Sequence, residues 1–184
     1  MNIFVLSEDP KWAARYHCNK HVIKMITETC QLLSNAVRWH VEKTTFSESY
    51  KRIIYEETHP HHPCTLWVKD KWDNFMWLNN LLGYLIAEYD YRFEKPHKFT
   101  KARKLHKLFT KIIADVAPLA DGRPHHFVIC MPDDDPDLEE LQHDPVKAYR
   151  MYYVKYKSHI LKYTKRQEPP WMHKSPYSQK RSQN

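Results

Sequence analysis

Between Pro10 and Val41 the chain places His17, His21, Lys24, Glu28, Gln31 and Asn35 at intervals of four, three, four, three and four. On a helix of about 3.6 residues per turn these side chains form one narrow stripe, and neighbours within it can touch. An ordinary solvated face would be mostly Lys and Glu. Two imidazoles, an amine, a carboxylate and two amides suit the wall of a polar site, although a wet or internally satisfied helix face can carry the same mixture. Lys24 and Glu28 are the pair with the most chemistry. As a surface ion pair they contribute little. In a partly buried site the carboxylate could assist departure of a base. The amine could attack C1′ of a sugar and form a Schiff base.

A second cluster of useful side chains is THPHHPCTLW, Thr58 to Trp67, with His59, His61 and His62. Together with His17 and His21 these imidazoles could make a metal site, but no spacing is diagnostic and no carboxylate adjoins them as in a zinc protease. They can equally serve as neutral hydrogen-bonding groups or proton carriers. No metal and no cofactor is therefore expected. A third stretch, from Asp144 to Arg166, interleaves Lys147, Arg150, Lys155, Lys157, Lys162, Lys165 and Arg166 with Tyr149, Tyr152, Tyr153, Tyr156 and Tyr163. Basic groups can take phosphates while tyrosine rings stack on bases or pack inward. Lys20, Arg150, Tyr152, Tyr153, Lys155 and Lys157 are the expected nucleic-acid contacts.

The elements that must position these groups are helices. Asp9-Pro10 is a cap followed by a proline suited to the first helical position, so one long helix is expected from Pro10 to about Val41, ending near Glu42 to Thr45. Trp12, Tyr16, Val22, Ile23, Met25, Ile26, Leu32, Leu33, Ala36 and Val37 fill its apolar arc. Phe46 to Glu57 reads as a short helix or ordered connection. The prolines of Thr58 to Trp67 indicate a loop. Helices follow at Asp70 to Phe93, Lys98 to Val116 and from Asp144-Pro145 onward. Met1 to Leu6 and His125 to Met131 read as short strands or extended segments. Pro118 to Pro124 reads as a turn, and the acidic run Met131 to Asp144 as a solvated loop that could bind a metal or mimic phosphate. The expected fold is mainly α: a single compact helical domain over residues 1–168, with at most one or two short strands, and a loosely held tail over 169–184.

Composition narrows the partners. The 184 residues include only 2 Gly against 12 Pro, which argues against a Gly-rich phosphate loop. Aromatics make up 14%, and a net charge of +7 favours an anionic partner, with nucleic acid the first candidate. The four scattered cysteines, Cys18, Cys30, Cys64 and Cys130, read as free thiols in a reducing cytoplasm. No secretory leader and no apolar stretch long enough to span a membrane is apparent.

Three blocks carry a family resemblance: MNIFVLSEDPKWAARYHCNKHVIKM with the following Glu28 and QLL; HPHHPCTLWV; and AYRMYYVKYKSHILKYTKR with its following PPW. Over most of its length the chain resembles small phage-encoded proteins labelled pyrimidine dimer DNA glycosylases. The resemblance implies a small, basic, helical protein that cleaves a glycosidic bond and nicks the strand at the abasic site. It implies a nucleophile that is the α-amine exposed after Met removal, assisted by a helix carboxylate, for which Glu28 would stand. Residue 2 departs from the pattern, because Asn is larger than Met removal usually tolerates. The terminal amine would then stay on Met1, or Lys24 would serve. The expected function is a DNA glycosylase, with or without AP-lyase activity, acting on a damaged or modified pyrimidine. Glu28 would be the acid/base and Lys24 the candidate amine, with His17, His21, His59 and His62 orienting. Rival readings are a transferase that hypermodifies a phage DNA base, a non-catalytic nucleic-acid-binding protein and a metal-dependent nuclease.

Overall fold

A computed structural model describes residues 1–41, 52–96, 98–116, 122–131 and 135–173. Among them the chain forms α1 (Pro10–Tyr16), α2 (Asn19–Val41), α3 (Pro63–Asp70), α4 (Trp72–Phe93), α5 (Thr100–Val116), α6 (Pro136–Glu139) and α7 (Pro145–Tyr156). Two 3-10 turns follow, Ser158–Ile160 and Pro170–Met172, and the described residues include no strand. The helical fold expected from the sequence is the one observed. No described helix is long and apolar enough to cross a membrane.

Three helices start by one device. Asp9, His62 and Asp144 each cap a helix with the side chain, accepting from the backbone N–H of Lys11, Cys64 and Lys147, and proline takes the first turn each time. This corrects the reading of Thr58 to Trp67 as loop throughout. Pro63 opens a helix, because its missing N–H is one the first turn leaves unpaired anyway.

The single long helix expected from Pro10 to Val41 is two. His17 is extended at φ −63° and ψ 134°, and α2 begins afresh at Asn19. The carbonyls released by the break are taken by Arg92, whose Nη2 donates to Arg15 O at 2.8 Å and Nη1 to His17 O at 2.7 Å. Arg92 is only 2% exposed and pairs with the buried Glu88 at 2.9 Å, which also receives Arg166 at 2.6 Å. Burial alone would raise the Glu88 pKa; the guanidinium groups of Arg166 and Arg92 outweigh it and hold the carboxyl below its usual range.

The helices α2 and α4 pack along each other, with α1 on α4, α3 and α5 on both. Leu32, Leu33, Phe75, Leu78, Leu81 and Phe109 close this core. Gly83 lets α5 approach α4: a Cβ there would lie 2.7 Å from His106 Nε2. The N-terminal segment, extended rather than a strand, is threaded into the core, with Ile3, Phe4, Val5 and Leu6 all buried. Phe4 stacks on His21 of α2 at 4.5 Å and meets Tyr149 and Tyr153 of α7 edge-on.

Residues 122–131 run extended across the start of α4, Gly122 N–H donating to Asp73 Oδ1 and His125 N–H to Asn74 Oδ1, each at 2.7 Å. The last helix is shorter than its sequence pattern, ending at Tyr156 before the 3-10 turn. Beyond it the chain stays packed: Pro169 and Met172 are buried, and Trp171 meets Tyr16 and Tyr153 edge-on. The acidic stretch contains the short helix α6. The end of the first long helix near Glu42 to Thr45, the first half of Phe46 to Glu57, the start of Pro118 to Pro124 and the tail from residue 174 lie outside the described residues.

Candidate functional site

Glu28 on α2 holds two nitrogens, one on each oxygen. Its Oε1 is 3.3 Å from Lys24 Nζ, and its Oε2 accepts from the main-chain N–H of Asn2 at 3.1 Å. Glu28 is 14% exposed in its side chain and Lys24 64%. The carboxylate is thus set into the surface while the amine stands in solvent.

Asn2 is fixed from every side. Its Nδ2 donates to Cys130 O at 2.9 Å. Its Oδ1 accepts from Ile3 N–H at 2.7 Å and from the Tyr149 hydroxyl at 2.8 Å, and the Cys64 thiol lies 3.8 Å away. Tyr149 in turn accepts from Cys130 N–H at 3.1 Å. Burial pushes the Tyr149 phenol well above its ordinary range, so it remains a neutral donor. Four separate parts of the chain, the N-terminal segment, α3, the 122–131 segment and α7, converge on one asparagine and hold its main-chain nitrogen against Glu28.

His62 is part of this wall. As the cap of α3 its Nδ1 accepts from Cys64 N–H at 3.2 Å, and burial first, then the positive chain terminus, lowers its pKa. Cys64 Sγ lies 3.4 Å from Cys130 Sγ.

The other expected site residues fall elsewhere. His17 is not on α2; it is fully buried, and its Nδ1 donates to Ala13 O at 2.6 Å. Its Nε2 is buried without a hydrogen-bond partner. Burial, before any other cause, lowers its pKa to about 4. His21 is buried under Phe4, hydrogen-bonds the Tyr153 hydroxyl through Nδ1 and is lowered to about 3, chiefly by burial and then by His17. The expected stripe is therefore divided at the helix break. Lys24, Glu28 and Gln31 keep one side of α2, His21 turns inward, and Asn35 is buried, bonded to the Thr58 main chain. His59 is exposed in a left-handed conformation, φ 50°, hydrogen-bonded to the Thr58 hydroxyl.

Among the expected nucleic-acid contacts, Lys20 is exposed and Lys157 lies over the Tyr152 ring at 5.1 Å. Lys157 and Lys24 each add, after burial and His17, to the lowering of the His21 pKa. Tyr153 is fully buried, and Arg150 donates through Nε to Leu6 O at 2.9 Å. Lys155 is held by Asp135 at 2.8 Å and Asp137 at 2.6 Å.

Asn2, Cys64, Cys130 and Tyr149 are the wall residues that sequence reasoning did not single out as such. Asn2 stood in view as an obstacle to Met removal. Nothing in the spacing joins positions 2, 64, 130 and 149, and only the HPHHPC block hinted at Cys64. A family model described as pyrimidine dimer DNA glycosylase matches residues 1–101. No curated protein and no solved structure matches the chain. The matched span carries Asn2, Lys24, Glu28, His62 and Cys64, while Cys130 and Tyr149 lie beyond it.

Proposed function

The chain belongs to the pyrimidine dimer DNA glycosylase family, and from that premise we propose that it excises a damaged or modified pyrimidine from DNA by amine attack at C1′. The observation that carries this reading is the main-chain nitrogen of Asn2 held 3.1 Å from the Glu28 carboxylate. Once Met1 is removed, that nitrogen is a primary amine already placed beside an acid/base. Its lone pair attacks C1′, and the bond from C1′ to the base breaks with its electron pair leaving on the base. The departing base takes a proton and the amine nitrogen loses one. The nitrogen lone pair then opens the sugar ring, the C1′–O4′ bond breaking with its pair on O4′, which takes a proton, and the Schiff base results. Glu28 is placed to handle the amine proton. It would then take a proton from C2′, and elimination of the 3′ phosphate would nick the strand.

The base must leave the duplex to be reached. Lys20, Lys24 and Lys157 are the cations proposed to hold phosphates, with Tyr152 as a stacking surface. His62, at the rim of the site, is an orienting group. DNA is accordingly the proposed partner.

A second reading is favoured by one residue. Asn at position 2 resists Met removal, and with Met1 retained the Asn2 nitrogen is an amide without a free lone pair. The Lys24 amine, 3.3 Å from Glu28, is then the available nucleophile, or Glu28 serves a base-modifying transfer with no excision. One experiment separates them. Intact mass establishes whether Met1 is present. Duplexes carrying single defined lesions or modified pyrimidines are incubated with and without borohydride. Base release lost by at least two orders of magnitude in Glu28→Gln, with an adduct mapping to Asn2, is the expected result. An adduct on Lys24 moves the nucleophile, a mass increase in the DNA without abasic sites supports transfer, and binding alone overturns catalysis.

A further inference from the structure

The two thiols beside Asn2 have no part in amine chemistry, yet they are brought together from positions 66 residues apart. The ligand-capable atoms of His62, Cys64 and Cys130 all lie within 4.8 Å of one another. We propose that His62, Cys64 and Cys130 form a binding site for a thiophilic divalent cation, zinc by preference, with water in the fourth position.

The chemistry of the set supports this. Two sulfurs and one imidazole match the borderline-soft character of zinc, and magnesium or calcium would be refused for lack of oxygen ligands. Two thiolates on one tetrahedral zinc, at about 2.3 Å each, stand about 3.8 Å apart. The observed Sγ–Sγ separation of 3.4 Å needs only a small opening. Cys64 is fully buried and Cys130 partly so, which shields the site from competing water and oxidants.

Binding displaces the thiol protons to solvent and exchanges the 3.2 Å cap bond between His62 Nδ1 and Cys64 N–H for coordination, directly or by moving the ring proton onto Nδ1. The positive chain terminus bears on all three groups and opposes a cation, but two thiolates offset it. The metal would brace the start of α3 to the 122–131 segment. Because Cys130 O receives Asn2 Nδ2, the brace would also hold residue 2 in front of Glu28.

The test needs no DNA, so its outcome is separate from that of base excision. Fully reduced protein is titrated with Co2+ and then Zn2+. The expected result is one-to-one binding, a thiolate-to-cobalt charge-transfer band that zinc abolishes, and loss of the band in Cys64→Ser and Cys130→Ser. His62→Ala weakens affinity at least tenfold, and exposed His61→Ala does not. Should a variant fail to fold, the wild type still answers, because zinc must protect Cys64 and Cys130 from alkylation while leaving lysine labelling unchanged. Three results overturn the proposal. These are the absence of stoichiometric binding by reduced protein, binding that survives loss of both cysteines, and formation of a Cys64–Cys130 disulfide in a protein that takes no metal when reduced.

Discussion

At the scale of single residues, the proposed chemistry depends on the position of one nitrogen. Tyr149 is the clearest probe of that positioning, since its hydroxyl holds Asn2 Oδ1 at 2.8 Å without facing the Lys24–Glu28 pair. Tyr149→Phe removes the hydroxyl that donates to Asn2 Oδ1 and accepts from Cys130 N–H, and should cost about 1–3 kcal/mol of stability. If residue 2 must be held in place for attack, kcat should fall about tenfold or more with KM little changed. A variant with unaltered turnover would mean that the Asn2 clamp is structural only. The two buried histidines make a different prediction. Their folded pKa values, about 4 for His17 and about 3 for His21, lie below the ordinary 6.5. Both are neutral in the fold, and the unfolded chain binds the protons. Their stabilising contribution is complete above about pH 6.5 and is lost as pH falls towards the folded values. Denaturant titrations should show stability dropping by about 1 kcal/mol or more per pH unit for each between about pH 6.5 and 5. A flat profile there would contradict neutral burial.

At the scale of elements, the interruption between α1 and α2 is the feature with consequences. It turns His17 into the core and leaves Lys24 and Glu28 on the side facing residue 2. Arg92 maintains it by occupying the carbonyls of Arg15 and His17 while paired to Glu88. Arg92→Met keeps much of the volume but leaves buried carbonyls and part of the Glu88 charge without partners. It should cost about 3–5 kcal/mol, read as a lowered unfolding midpoint. A loss under 1 kcal/mol would show that water or Arg166 can replace the guanidinium.

At the scale of the whole molecule, the +7 charge predicts DNA affinity that falls linearly in log salt, with a slope near −0.9 per phosphate neutralised. Not every cation contributes equally. Lys157→Gln should flatten the slope by about one phosphate. Lys155→Gln should leave it nearly unchanged, because the ammonium is already held by Asp135 and Asp137. Equal effects from both would place DNA along α7 as a whole.

The sequence by itself determined the helical class, the register that sets Lys24 one turn before Glu28, two of the three capped proline starts and the family. Each of these is local: periodicity, a cap, or a contiguous block of residues. Pro63 was misread because proline breaks a helix interior and opens a helix equally well, and only the capping side chain of His62 tells the two apart. The tertiary structure alone decided the helix break, since the arginine that stabilises it lies some 75 residues away along the chain. It alone placed residue 2 against Glu28 and brought Cys64, Cys130 and Tyr149 around it. Such meetings depend on how helices pack and where a buried N-terminal segment threads between them. Spacing along the chain carries no record of distances across a core.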